Sequence, residues 1–556
     1  MGVHFSSYYS YYSTPATDVL NATCGPVRGL NYQQPDGRSV GGYLGIPYAK
    51  PPVGERRFKK PEAHERWETP RDCYQFGPRC PQNDEVVFSL LNAVGKDEAN
   101  CLTLNVFAPL WKSDEWPNGL PVMVYIHGGG FVVHSSSNYG DSSIARNLCV
   151  KDIVVVSINY RLGIFGFFTT GDDVCRGNFG LWDQTLALKW VQEHIASFGG
   201  DPKNVTIFGQ SAGGASVDLL SLSPHSRDLF QRVIPMAGCA ECDFALRTSE
   251  QQATISREYS RFIGWTGKDD DSEGLMRWIN EQPLHKLELS LRPVRGFESS
   301  QTGSLCFVPH IDGDFFPKSI PELRKESPKR SILVGTTEFE GLFFAGLLSL
   351  AFIRDNLKKL IKDLYKKCDY GDQAEAVQEK VFNFYMKDID VNDKTKCLEQ
   401  MIHFLGDHFI NVGVFNYARS MAKMGHDVYF YSFEHFNPNG FGIFKWIMPF
   451  VAATHCMEIR YVLGKGVISK FKPDEDDLKM IHIMTNYFTN FAKYGTPNSR
   501  SDDLKVWEKH SPENPFRHLR IKLPTAEMVD DYQARRAEFW DEIRAANVVR
   551  GQHYSC

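Results

Sequence analysis

Short apolar runs alternate along this chain with longer stretches in which apolar residues recur every three or four positions. Pro121 to Ile126, Ile153 to Ile158, Val205 to Phe208, Ser331 to Val334, Val428 to Phe433 and Leu519 to Leu523 read as strands, most of them too apolar for a sheet wetted on one face. Between them, helical sequence starts near Gly177 with apolar positions at Leu186, Leu188, Trp190 and Val191, and again at Ala215 to Leu222. Ser249 to Phe297 and Asp355 to Lys423 are helical and charged, and a last helix lies around Arg535 to Trp540. Strands alternating with helices predict an α/β fold: a mostly parallel central sheet, helices on both faces, and helical insertions. Val27 to Val40 predicts a hairpin around Pro35-Asp36-Gly37, and the prolines of Gly45 to Gly54 predict an irregular loop.

One strand ends in a sequence with chemistry in it. Val205 to Phe208 runs into Gly209-Gln210-Ser211-Ala212-Gly213-Gly214, and helical sequence follows. A Gly-x-Ser-x-Gly between strand and helix is the nucleophile elbow, a sharp turn that lifts one serine hydroxyl above the sheet. Glycine and serine are common in loops, so the flanking strand and helix carry the signal. A serine nucleophile needs a base, an acid that orients the base, and donors for an oxyanion.

Composition adds exclusions. The chain has 556 residues, a formal net charge of -5 and no strongly basic cluster, which argues against a nucleic-acid partner. The leader is rich in Ser and Tyr and lacks the basic and apolar regions of a secretory signal. Gly341 to Ile353, the longest apolar stretch, is shorter than the roughly 20 residues that span a bilayer. Met1-Gly2-Val3-His4-Phe5-Ser6 fits an N-myristoylation pattern at Gly2, which by itself would give only reversible membrane association. Thirteen scattered cysteines without a signal peptide predict reduced thiols and a cytoplasmic protein.

Gly45-Ile46-Pro47-Tyr48-Ala49, Pro51-Pro52-Val53-Gly54 with Arg57-Phe58, and Glu98 to Val106 resemble the type-B carboxylesterase/cholinesterase family. The similarity runs from about residue 25 to about 545. It implies the α/β-hydrolase fold in one catalytic domain, residues 23–547, between a disordered leader, 1–22, and a short tail, 548–556. Cys80 and Cys101 resemble the ends of the family's disulfide-closed loop, with Cys73 as the alternative partner and Asn100 where an acidic residue is usual. His127-Gly128-Gly129-Gly130-Phe131 resembles the oxyanion loop, which implies the amides of Gly129, Gly130 and Ala212 as donors and a structural role for His127. Val334 to Gly341 resembles Gly-x-x-x-x-Glu-Gly and selects Glu340 as the acid over its rival Glu338, which fits a solvated loop carboxylate. His455-Cys456-Met457-Glu458-Ile459 resembles His-Gly-x-Glu-Ile and selects His455 as the base, with Cys456 where glycine is usual. The order Ser211, Glu340, His455 is that of an α/β-hydrolase.

The resemblance implies a serine carboxylesterase acting on small hydrophobic esters through an acyl-enzyme, with no cofactor and no metal. Residues 81 to 100 lack the tryptophan that holds quaternary ammonium in cholinesterases, and Gln210 replaces their glutamate, so the chain looks carboxylesterase-like. Gly264 and Trp278 occupy the positions of a second disulfide in secreted relatives. The runs Leu342 to Phe352 and Phe441 to Phe450 are expected to line a hydrophobic gorge. Two alternatives stay open: an acyltransferase using an alcohol acceptor, and a non-catalytic adhesion protein of the neuroligin type.

Overall fold

A computed structural model describes residues 14–83, 94–291, 294, 296–297, 305–347, 357–390, 392–438, 450–466, 471–498 and 504–547. Eleven strands form one sheet. They are β1 (Leu30–Gln33), β2 (Ser39–Pro47), β3 (Thr103–Pro109), β4 (Leu120–Ile126), β5 (Val154–Ile158), β6 (Gly200–Gln210), β7 (Arg232–Met236), β8 (Ser331–Thr337), β9 (Asp427–Phe433), β10 (His518–Ile521) and β11 (Glu527–Val529). The order across the sheet is β11-β10-β9-β8-β7-β6-β4-β5-β3-β2-β1. Neighbours from β10 to β5 run parallel, and both margins are antiparallel. Chain order reverses between β4 and β6, and open parallel sheets open a crevice at the carboxyl ends beside such a reversal.

The apolar runs are continuous because both faces of the sheet are covered. Along β4, Val122, Val124 and Ile126 join one core while Met123 and Tyr125 join the other. One core includes helices α1 (Phe179–His194) and α2 (Ala212–Leu222), and the other a long helix, Glu475–Tyr494. Asp474 caps that helix by accepting from the amides of Asp476 and Asp477, and Gly495 closes it with a left-handed φ of 76°.

The irregular stretch after β2 is a tie point. Strand β2 runs on to Pro47, and a single 3₁₀ turn, Gly54–Arg56, follows the prolines. Arg57 then donates to Glu98 at 2.6 Å and to the carbonyls of Asn280 and Gln282, binding this loop to the Cys80–Cys101 loop and to a helical insertion. Cys80 and Cys101 are bridged with Cα atoms 4.9 Å apart, while Cys73 is a buried free thiol. Trp265 packs on Trp278 at 5.6 Å in the region of the absent second disulfide.

Residues 14–22, inside the expected disordered leader, are structured. Ala16 bridges Leu30, and Leu20–Ala22 pairs antiparallel with Gly25–Arg28. Thr17 supplies the reason: its amide donates to Gly29 O and its hydroxyl accepts from Gly29 N, a reciprocal pair that hydrophobic periodicity does not reveal. Residues 1–13, with Gly2, and 548–556 lie outside the described residues.

Behind β5, Arg161 forms a buried bidentate pair with Asp183 of α1 at 2.7 and 2.6 Å, and its amide donates to the same carboxylate. Removing one partner of such a pair leaves an uncompensated buried charge. Arg161→Ala should therefore destabilise the protein by about 3–5 kcal/mol, read as a large fall in thermal midpoint.

Candidate functional site

Ser211 follows β6 directly and caps α2 with φ 60° and ψ -126°. A side-chain-bearing residue held there costs about 1–3 kcal/mol and persists only where its surroundings over-determine it. They do so here. Ser211 N donates to Met236 O of β7, and Ser211 O accepts from Ala215 N. Close backbone approach explains the glycine at position 213, where a Cβ would lie 2.1 Å from Ile126 O.

The loop after β4 rides on this turn. A Cβ at Gly128 would lie 2.4 Å from Gln210 O and 3.1 Å from the Ser211 Cβ, so His127 to Gly130 passes directly over the elbow. Gly129 and Gly130 hold φ of 110° and 60°. Their amides and that of Ala212, at the first position of α2, stay off backbone acceptors among the described residues. His127 is buried, with Nδ1 at 2.8 Å from Gly128 O and its pKa pushed by burial down to about 3. It is a neutral structural ring.

Glu340 opens helix α3 (Glu340–Leu347) just past β8 and is fully buried. Its Oε1 accepts from Thr337 N at 2.6 Å, and its Oε2 accepts from His455 Nδ1 at 2.5 Å. Two distant segments meet here through Thr454. Phe339 N donates to Ala453 O, Thr454 Oγ1 donates to Phe339 O at 2.9 Å, and Phe343 N donates to Thr454 Oγ1 at 3.0 Å. Thr454 stands immediately before the motif that marked His455, but no pattern signalled this zipper.

Burial alone would lower the pKa of His455, but Cys456 and Glu340 beside it outweigh burial and hold the ring well above the ordinary histidine value. Phe343 and Phe344 pack on the ring at 5.5 and 5.3 Å, so the apolar run after Glu340 does reach the site. Residues 348–352 and 441–449 of the expected gorge lie outside the described residues, while Phe450 packs on Phe339. Glu340 bonds the ring at Nδ1, and Gln210 lies against it with Nε2 at 3.4 and 3.3 Å from the two ring nitrogens. The Ser211 hydroxyl is not bonded to the ring in this structure.

Glu338 differs from its expected solvated state. It is half-buried beside Glu434, and burial followed by that like charge pushes its pKa up to about 7. Its backbone continues the β8–β9 pairing by donating to Phe433 O, so its position belongs to the sheet. Glu458 carries no expected role, yet it is fully buried and neither carboxylate oxygen has a partner. Burial, then the charge of Glu340, raises its pKa to about 8, so it is largely a neutral acid at pH 7. Among the described residues no group of side chains could hold a metal ion, and no helix is long and apolar enough to cross a membrane.

Comparison with known proteins agrees with this architecture. The model of the carboxylesterase family matches residues 16–540. The chain is 51% identical to Esterase cest-33 of Caenorhabditis elegans over 95% of each chain. It is 32% identical to the precursor of a medium-chain fatty acyl-CoA hydrolase of Anas platyrhynchos, over 91% of this chain and 88% of the other. It is 30% identical to a cholinesterase of Mus musculus over 94% of this chain and 86% of that one.

The protonation of Glu458 is open to measurement. Its folded pKa of about 8 lies above the ordinary 4.5, so the stability linked to its proton is fully present below pH 4.5. That stability is lost as pH rises through 8. Glu458→Gln should raise the thermal midpoint relative to wild type at pH 8 and much less at pH 4. A midpoint difference that does not grow with pH would mean the folded pKa of Glu458 is not raised.

Proposed function

Because the chain belongs to the carboxylesterase family and is a carboxylic ester hydrolase, we propose that it works through an acyl-enzyme on Ser211, with His455 as base, Glu340 as its orienting acid, and Gly129, Gly130 and Ala212 as the oxyanion hole. The observation that carries the reading is the Glu340–His455 hydrogen bond, set beside the elbow whose Gln210 touches the same ring.

In this mechanism Ser211 Oγ attacks the ester carbonyl carbon as its proton passes to His455 Nε2. Glu340 holds the Nδ1 proton, which fixes the tautomer and stabilises the imidazolium. The three amides receive the negative charge on the carbonyl oxygen, each worth about 3 kcal/mol in such sites. The tetrahedral intermediate collapses, and the alcohol leaves with the proton held by His455. Water then attacks the acyl-enzyme, His455 takes its proton, and the carboxylic acid departs with Ser211 restored.

The walls support hydrophobic small-molecule esters as the substrate class. Phe343 and Phe344 lie against the base, and a Cβ on Gly130 would meet Leu291 and Leu305, at 2.7 and 3.0 Å. Such walls favour apolar groups next to the scissile carbonyl. A cytoplasmic location belongs to the same proposal, supported by the many free thiols, with reversible membrane association if Gly2 is acylated. Fractionation with and without Gly2→Ala separates the two.

Ser211→Ala should abolish turnover of p-nitrophenyl esters, and wild-type turnover by that variant sinks the proposal. Glu340→Gln should lower kcat by about 10⁴-fold, whereas Glu338→Gln should cost little. The ascending limb of kcat/KM against pH should lie above 6.5, because a raised His455 pKa keeps the base protonated to higher pH. Product analysis with added alcohols distinguishes hydrolysis from acyl transfer: free acid as the dominant product is expected, and dominant ester formation would reassign the chain as a transferase.

A further inference from the structure

Two departures from the family pattern touch each other in the site. Gln210 stands where cholinesterases carry glutamate, Cys456 stands where glycine is usual, and Cys456 Sγ donates to Gln210 Oε1 at 3.1 Å. Cys456 holds φ at 71°, a left-handed conformation that glycine adopts freely and a side-chain-bearing residue does not. The chain therefore keeps a thiol at a position where its backbone favours glycine. An outlier of this kind asks for a functional reason.

The contact has a definite consequence for the base. Accepting at Oε1 turns the NH2 edge of the buried Gln210 amide toward His455. Nearly equal distances from Nε2 to the two ring nitrogens, 3.4 and 3.3 Å, put the amide against the face of the imidazole and off the lone-pair axis of either nitrogen. The Nε2 lone pair stays available to Ser211.

We propose that Cys456 is a positioning residue for the base: its thiol fixes the Gln210 amide with the NH2 edge against the imidazole of His455. The proposal rests on His455 being the base. The partially positive NH2 edge disfavours the imidazolium and so favours the form that accepts a proton from Ser211. Without the thiol, the amide is free to turn, and a carbonyl oxygen against the ring would favour the imidazolium. The ionisable neighbours of the ring are Glu340 on α3, and Cys456 and Glu458 on its own segment. Tyr125 and Tyr139 near Cys456, and Tyr431 near Glu458, are buried phenols whose pKa burial raises, so they stay neutral. Against this set the amide is a neutral dipole whose sign depends on which edge faces the ring.

The test compares Cys456→Gly, Cys456→Ala and Cys456→Ser in the full chain, with a p-nitrophenyl ester as substrate. Gly and Ala remove the donor, and Gly also relieves the backbone. Every Cys456 variant also loses the thiol's own raising effect on the ring, so the latch is read against serine: Gly and Ala should show a kcat/KM near neutral pH about 10-fold below that of Ser, the scale of one hydrogen bond, and an ascending pH limb above that of Ser. Cys456→Gly should do so with a thermal midpoint equal to or above wild type, a combination that a purely structural role would not give. Serine keeps the donor and should keep the rate near neutral pH, with a limb at or below that of wild type. Gly and Ala variants that share the rate and the limb of Ser overturn the proposal. His455→Ala separates the two readings: if it is inactive while the three Cys456 variants share one limb, only the latch fails, and if it is active the assignment of the base fails with it.

Discussion

The site depends on one strained turn. Ser211 sits at φ 60° and ψ -126° because parallel strands end together there, and their backbones come too close for side chains between them. The loop after β4 passes over Gln210 O, the end of β7 takes the Ser211 amide, and α2 begins one residue later. The strain is of the order of 1–3 kcal/mol. The sheet sustains it because relaxing the turn would break the backbone bonds and part tightly packed segments. The same convergence that strains the serine brings the Gly128 backbone against it, so the two cannot be adjusted separately.

Burial by itself does not decide what a carboxylate does in this site. Glu340 and Glu458 are both fully buried and near each other. Glu340 has a backbone amide on one oxygen and an imidazole N–H on the other. Glu458 has a donor on neither and takes up a proton instead. Burial without donors is what makes Glu458 an acid at neutral pH.

Hydrophobic pattern and turn chemistry made much of this legible beforehand. Runs such as Pro121 to Ile126 exposed the doubly covered sheet, because a strand with two buried faces cannot alternate. Gly209 to Gly213 exposed the elbow, since only that turn needs glycines around a serine between strand and helix. Element ends were less legible. Strand β6 begins at Gly200, several polar residues before its apolar run, because Leu120 pairs with Gly200. That pairing depends on a neighbour far away in sequence. The fold also reaches back to Ala16 through backbone bonds that side-chain pattern does not encode.

Sequence alone determined which residue types stand where: a serine on an elbow, a Glu-Gly after a strand, a histidine ahead of a short helix, and an apolar sheet. Tertiary structure decided what those residues do to one another. It zipped Glu340 to His455 through Thr454, pulled Glu338 into the sheet and away from the base, and left Glu458 without donors. It also set the thiol of Cys456 on the amide of Gln210. The division has a physical cause. Periodicity and turn propensity act over a few residues and are written locally, whereas the charge of a buried group and the orientation of a side chain depend on atoms more than a hundred residues away in the chain, brought within 3 Å only by the packing.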